Sequence, residues 1–201
     1  MAEPGAVAGV DRGRPRDPSN DASILDAALD LLIERGAAGT SIEAVARRAG
    51  VAKLTVYRRW QSKEDLLMGA LEHARNADPD TPAAGRSIEE LVEFTAELLS
   101  QPRFRALMAR VIGASVDYPK LVTAYTERYL QPRLDAVADL ARQAVDAGRF
   151  PKDTDPSAIQ DVFSSAVGFV LLHGEEGLTA AQIARRLWAL LHHMGYQPPN
   201  P

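Results

Sequence analysis

Cysteine is absent from the 201 residues, which excludes a disulfide framework, a thiolate metal site and a cysteine nucleophile together. Long apolar runs are missing too. Nowhere do about 18 apolar residues follow one another, the length a membrane-spanning helix needs, and the N-terminal MAEPGAVAGVDRGRPRDP has no apolar core of signal-peptide length. The expectation is a soluble, cytoplasmic protein with no membrane partner. Strand alternation is lacking, apart from short apolar runs that fit a buried helix equally well. His192 and His193 are adjacent, so they leave a helix in different directions and cannot chelate as an i, i+4 pair would. With no nucleophile elbow, phosphate loop or metal-ligand cluster, no catalytic residue, metal or cofactor is expected. The Gly-rich string His173-Gly-Glu-Glu-Gly177 reads as helix closure. An overall basic balance, usual in wholesale polyanion binders, is lacking as well, since the formal net charge is −4.

What is present is helical spacing, and the hydrophobic share of 46% is enough to build a core. Asp17-Pro18 reads as an N-cap followed by proline at the first helical position. Ile24, Leu25, Ala28, Leu29, Leu32 and Ile33 then share one face until Gly36 stops the helix. Thr40-Ser-Ile-Glu43 reads as a capping box for a short helix that Gly50 ends. A further short helix follows, and Ser62 with Asp65 caps the next. A polar break from Asn76 to Gly85 separates this part from helices near 87–100, 102–114, 119–147, 155–172 and 179–194, with Ser87 and Glu90 another capping box and Pro132 expected to kink or break the long one. The predicted fold is all-α. Its predicted organisation is a disordered basic arm over residues 1–16, a helical bundle over 17–78 and a second helical bundle over 85–196.

Charge is segregated along this chain. From Glu43 to Lys63 the bases Arg47, Arg48, Lys53, Arg58, Arg59 and Lys63 face the single acid Glu43, a local balance of +5 that leaves −9 for the remainder. Two short helices joined by a tight glycine turn, the second basic on one side, make a helix-turn-helix whose second helix suits the DNA major groove. On that helix Lys53, Leu54, Tyr57 and Arg58 form an outward stripe, while Val56 and Trp60 point inward. A merely solvated face would waste the apolar area of Leu54 and Tyr57 on water. Against DNA the tyrosine reaches a phosphate through its hydroxyl or a thymine methyl by its ring. Arg59 and Lys63 flank the stripe and suit phosphates.

The run TSIEAVARRAGVAKLTVYRRWQSKEDLL resembles the DNA-binding signature of the tetracycline-repressor (TetR) family of bacterial regulators. The likeness extends from residue 17 to about 73. It rests on the threonine-serine start, the Ala-Gly-Val turn, Thr-Val-Tyr on the recognition helix, the closing aromatic and Ser-Lys-Glu opening the next helix. The resemblance implies phosphate contacts at Thr40 and Ser41. It likewise implies backbone positioning by Thr55, Tyr57, Arg59 and Lys63, and base contacts by Lys53, Leu54 and Arg58. Three positions depart from the family pattern, which usually has a small residue at 54, histidine or tyrosine at 59 and phenylalanine at 60. The resemblance also implies a helix-turn-helix DNA-binding domain over 17–78 and a ligand-binding and dimerisation domain over 85–196, in a homodimer on a palindromic double-stranded operator, with repression relieved by a small-molecule effector.

The arm carries Arg12, Arg14 and Arg16, and its Arg-Gly-Arg-Pro is similar to minor-groove AT-hook peptides. Two readings stand for it, an arginine seated in a narrow A·T minor groove and a solvated basic tail. From Asp80 onward twelve bases meet fifteen acids, so that part should avoid DNA. The last two helices carry more apolar surface than one stripe needs, which fits either a four-helix dimer interface or packing within one subunit. Phe104, Met108, Ile112, Tyr125 and Phe163 are candidates for an effector pocket, since aromatic and methionine side chains make adaptable apolar walls. The alternative from another class is a helical small-molecule-binding protein or enzyme with a vestigial DNA-binding head.

Overall fold

Proline at the first helical position and glycine at the last bracket helix α1, Pro18–Gly39. Gly36 takes φ 70°, so the regular helix ends where the glycine stands and the chain turns over the next three residues. The structure, a computed structural model, describes residues 18–76, 87–173 and 177–199. The expected arm with Arg12, Arg14 and Arg16, the Asp17 cap, most of the polar break and residues 174–176 of the Gly-rich string lie outside the described residues. Helices α2 (Ile42–Arg48), α3 (Lys53–Tyr57) and α4 (Lys63–Asn76) complete the head. Helices α5 (Ile88–Ser100), α6 (Pro102–Gly113), α7 (Pro119–Tyr125), α8 (Gln131–Asp146), α9 (Pro156–His173) and α10 (Ala180–His193) follow. The fold is all-α, and no strand occurs among the described residues.

Two apolar cores hold these helices. The first gathers Ile24, Leu31 and Leu32 of α1, Val45 of α2, Val56 of α3 and Leu66, Leu67 and Ala70 of α4. It also takes in Leu107, Met108 and Val111 of α6 and Leu121 of α7, so these two helices pack against the head. The second joins Leu91, Val92 and Leu99 of α5 to Ile183, Leu187 and Leu191 of α10, with Leu140, Ala144, Ile159 and Phe163 from α8 and α9. Local caps set the helix starts as expected in three places. Ser87 and Glu90 exchange hydrogen bonds of 2.8 and 3.2 Å, Ser62 and Asp65 do so at 3.1 and 3.0 Å, and Pro102 opens α6.

The long segment does not break at Pro132, and the irregularity expected there takes the form of a wider turn. Between α7 and α8 the chain forms a π-helical turn, Thr126–Leu130, closed by the Gln131 amide donating to the Thr126 carbonyl. Proline has no N–H to give and its ring crowds the carbonyl four residues back. The wider i→i+5 turn carries the chain past that gap as one continuous rod.

Gly69 on α4 makes room for Trp60, which follows α3. A Cβ there would lie 2.8 Å from Nε1 of Trp60 and 3.2 Å from Cδ2 of Leu25. Gly69→Val is therefore expected to lower stability by about 2 kcal/mol or more through overpacking, read as a lower urea midpoint at an unchanged denaturant slope.

Candidate functional site

The turn between α2 and α3 follows from one glycine. Gly50 adopts φ 69°, its amide donates to the Arg47 carbonyl at 3.4 Å, and the Val51 amide donates to the Ala46 carbonyl at 3.0 Å. Those two bonds close α2 in the Schellman pattern and swing the chain into α3. On α3, Val56 is fully buried while Leu54 and Tyr57 are 59% and 42% exposed. Lys53 and Arg58 are exposed beside them and Thr55 is half-buried. Lys53 reaches back to pair with Glu43 of α2, which raises its pKa through that hydrogen bond, and its ammonium sits 5.4 Å from the Tyr57 ring centroid. Arg47 and Arg58 carry no side-chain hydrogen bond or ion pair among the described residues.

Three expected phosphate contacts are placed differently. Thr40 does not cap α2: it is buried, its Oγ1 donates to the Gly36 carbonyl at 2.9 Å, and Ser41 is the N-cap, accepting from the Ala44 amide at 3.1 Å. The reason is the left-handed Gly36, whose carbonyl is left without a helical partner when α1 stops, and the adjacent turn brings the threonine hydroxyl to it. Arg59 is drawn inward, pairing through Nε with Asp21 of α1 and donating from Nη1 to the Thr55 carbonyl at 3.0 Å. Lys63 donates to the Ala37 carbonyl at 3.0 Å and to the Tyr118 hydroxyl at 2.7 Å, with its ammonium 4.3 Å from that ring's centroid. Its charge thus ties the start of α4 to the turn between α6 and α7.

A second site lies beneath the head. A cavity of about 360 Å³ opens between α5, α6, the α7–α8 rod and α9. Phe104, Met108, Ile112, Tyr125 and Phe163 all line it. A smaller space of about 220 Å³ on the α1 and α4 side shares Phe94, Phe104, Met108, Tyr125 and Arg133 with it. Tyr125 donates to Sδ of Met108 at 3.2 Å, and burial raises its pKa, so the phenol stays neutral. Along the rod, Tyr125, Arg133 and Val137 all reach the cavity wall. On a straight 3.6-residue helix each four-residue step drifts by about 40°, about 120° from Tyr125 to Val137. The π turn lies within that stretch and takes up part of the drift. Arg133 was not singled out from sequence, because a lone arginine on an amphipathic helix reads as a solvated side chain. Tyr118, a further aromatic of the same half, serves the Lys63 contact instead.

The family model described as "Bacterial regulatory proteins, tetR family" matches residues 24–69, and "Tetracyclin repressor-like, C-terminal domain" matches residues 78–189. The chain belongs to the TetR family. Among relatives of this TetR-family regulator, the uncharacterized HTH-type transcriptional regulator YdeS of Bacillus subtilis is 29% identical over 168 residues, covering 82% of this chain and 85% of YdeS. The DNA-binding transcriptional repressor TetR of Mycobacteroides abscessus is 28% identical over 150 residues, covering 73% and 79%. A regulator from Saccharomonospora viridis, solved in complex with choline, superposes with a TM-score of 0.71 at 21% identity, covering 88% of this chain and 97% of that one; at that identity the likeness shows the fold.

The TetR-family regulator is thus a helix-turn-helix transcriptional regulator, of a family that binds DNA operators and small-molecule effectors and is dimeric. It is a family of regulators rather than enzymes, and no helix among the described residues is long and apolar enough to cross a membrane. On α9 and α10 the apolar surplus divides. Phe163, Val170, Ile183, Leu187 and Leu191 are buried, whereas Phe169, Leu172 and Leu190 stand exposed.

Proposed function

We propose that this regulator represses transcription by binding, as a homodimer, a palindromic operator with one α3 in each of two major grooves about one helical turn apart. The exposed stripe of α3 carries the reading: apolar Leu54 and Tyr57 stand in water beside Arg58, a guanidinium unpaired among the described residues. Arg58 makes the bidentate contact to guanine, and Lys53 and Leu54 touch neighbouring base edges. Tyr57, Thr55 and Ser41 position the head on the phosphate backbone. The exposed Phe169, Leu172 and Leu190 meet their copies across the dimer axis, as apolar helix faces do in a two-fold interface. An effector enters the 360 Å³ cavity and moves α6 and α7, which bear on the head's core and on Lys63. Release then requires that the operator-competent state bind the effector less tightly than the other state does. Repression is supported by the Mycobacteroides abscessus relative, a DNA-binding repressor.

Selection of bound sequences from random duplex DNA tests this. The expected product is a palindrome whose half-site centres lie about 10 base pairs apart. Recovery of no enriched motif, or of an unpaired half-site, would overturn the reading.

A further inference from the structure

We infer that the effector is a monoanionic organic acid, a carboxylate on an apolar body, held by Arg133. This rests on the reading of the 360 Å³ cavity as the effector site. The cavity wall is apolar apart from the hydroxyls of Thr95, Tyr125, Thr126 and Ser164 and one charged side chain, Arg133. The smaller space, which shares part of that wall, adds Arg75 and Arg103 and contributes no carboxylate. Of those two, Arg103 pairs with Asp30 at 2.7 Å, and Arg75 lies 4.9 Å over the Tyr129 ring and lines the smaller space, not the 360 Å³ cavity. Arg133 is half-buried and has neither ion pair nor hydrogen bond among the described residues. Among the described residues no carboxylate lines either space, and Glu72 pairs with Arg128 while Asp135 accepts from Gln131.

An occupant of this cavity covers part of the guanidinium. A neutral body would strip water from that cation without replacing it, and a cationic one would add repulsion. A carboxylate instead meets the planar fork with two parallel hydrogen bonds. Among the described residues Arg133 is the one charged side chain on this cavity's wall, so one anionic group at the end of an apolar body is the matching chemistry. The buried, neutral Tyr125 phenol sets no rival charge beside it.

Full-length protein is titrated calorimetrically with 2-naphthoate and decanoate and with their neutral counterparts, 2-naphthalenemethanol and decanol. Wild type is expected to prefer at least one acid over its alcohol by about tenfold or more. Arg133→Gln should erase that preference while binding the alcohols unchanged, and Arg133→Lys should keep part of it; thermal melts confirm that each variant is folded. Equal binding of acid and alcohol to wild type, or a preference that survives in Arg133→Gln, overturns the anion assignment and leaves the cavity as effector site. No binding of any of the four probes overturns both.

Discussion

Tyr57→Ala combined with Arg58→Ala is expected to weaken binding to the selected operator by about 100-fold or more, because a lost bidentate guanine contact alone is worth about 1 to 3 kcal/mol and each dimer loses it twice. Both side chains are exposed and Arg58 has no partner among the described residues, so the melting temperature should stay near that of wild type. The neighbouring arginine behaves in the opposite way. Arg59 joins α3 to Asp21 and to the Thr55 carbonyl and is only 16% exposed. Arg59→Ala should therefore cost about 1 kcal/mol or more of stability and affect operator affinity only through the loosened helix. Fluorescence anisotropy at several salt concentrations, beside thermal melts, separates the two. If Arg58→Ala lowered the melting temperature and left affinity unchanged, α3 would not be the reading head.

Gly168→Leu is expected to raise the melting temperature and close the cavity in the same protein. Gly168 stands on α9 on the cavity wall with Ser164 and Leu171, and a Cβ there would meet nothing within 4 Å. Glycine inside a helix costs up to about 1 kcal/mol relative to a good helix former, which the substitution returns. A leucine side chain in the cavity then obstructs any occupant, and overpacking of about 1 to 3 kcal/mol corresponds to about 5- to 150-fold weaker binding of the naphthalene probes. Operator affinity should be retained. Unchanged probe binding would place the occupied site elsewhere.

Local chemistry was readable where it is decided locally. Gly36 and Gly50 end their helices, Ser87 with Glu90 caps α5, and Pro102 opens α6, because each outcome depends on residues within one turn. Thr40 was expected to cap α2 from its place three residues before Glu43, but a carbonyl of the preceding turn takes its hydroxyl and Ser41 becomes the N-cap. Arg59 and Lys63 looked like part of one basic face, since a charge count carries no information about partners 38 and 55 residues away. Pro132 announced an irregularity, yet a kink, a break and a wider turn remove the same hydrogen bond. The outward set Lys53, Leu54, Tyr57 and Arg58 followed from helical period alone. Arg133 required the convergence of five helical segments before its surroundings became visible.

Met108 is at once a member of the core that braces α1 and α4 and a wall of the cavity. With no hinge between these roles, an occupant pressing on its thioether presses on the reading head. Thermodynamic reciprocity then runs the traffic both ways on the proposed function. Whatever factor the small molecule takes from operator affinity, the operator takes from the small molecule. Chromosomal DNA thereby becomes a competitor of the effector without ever touching the chamber it occupies, and promoter-bound copies would answer to a higher effector concentration than free ones.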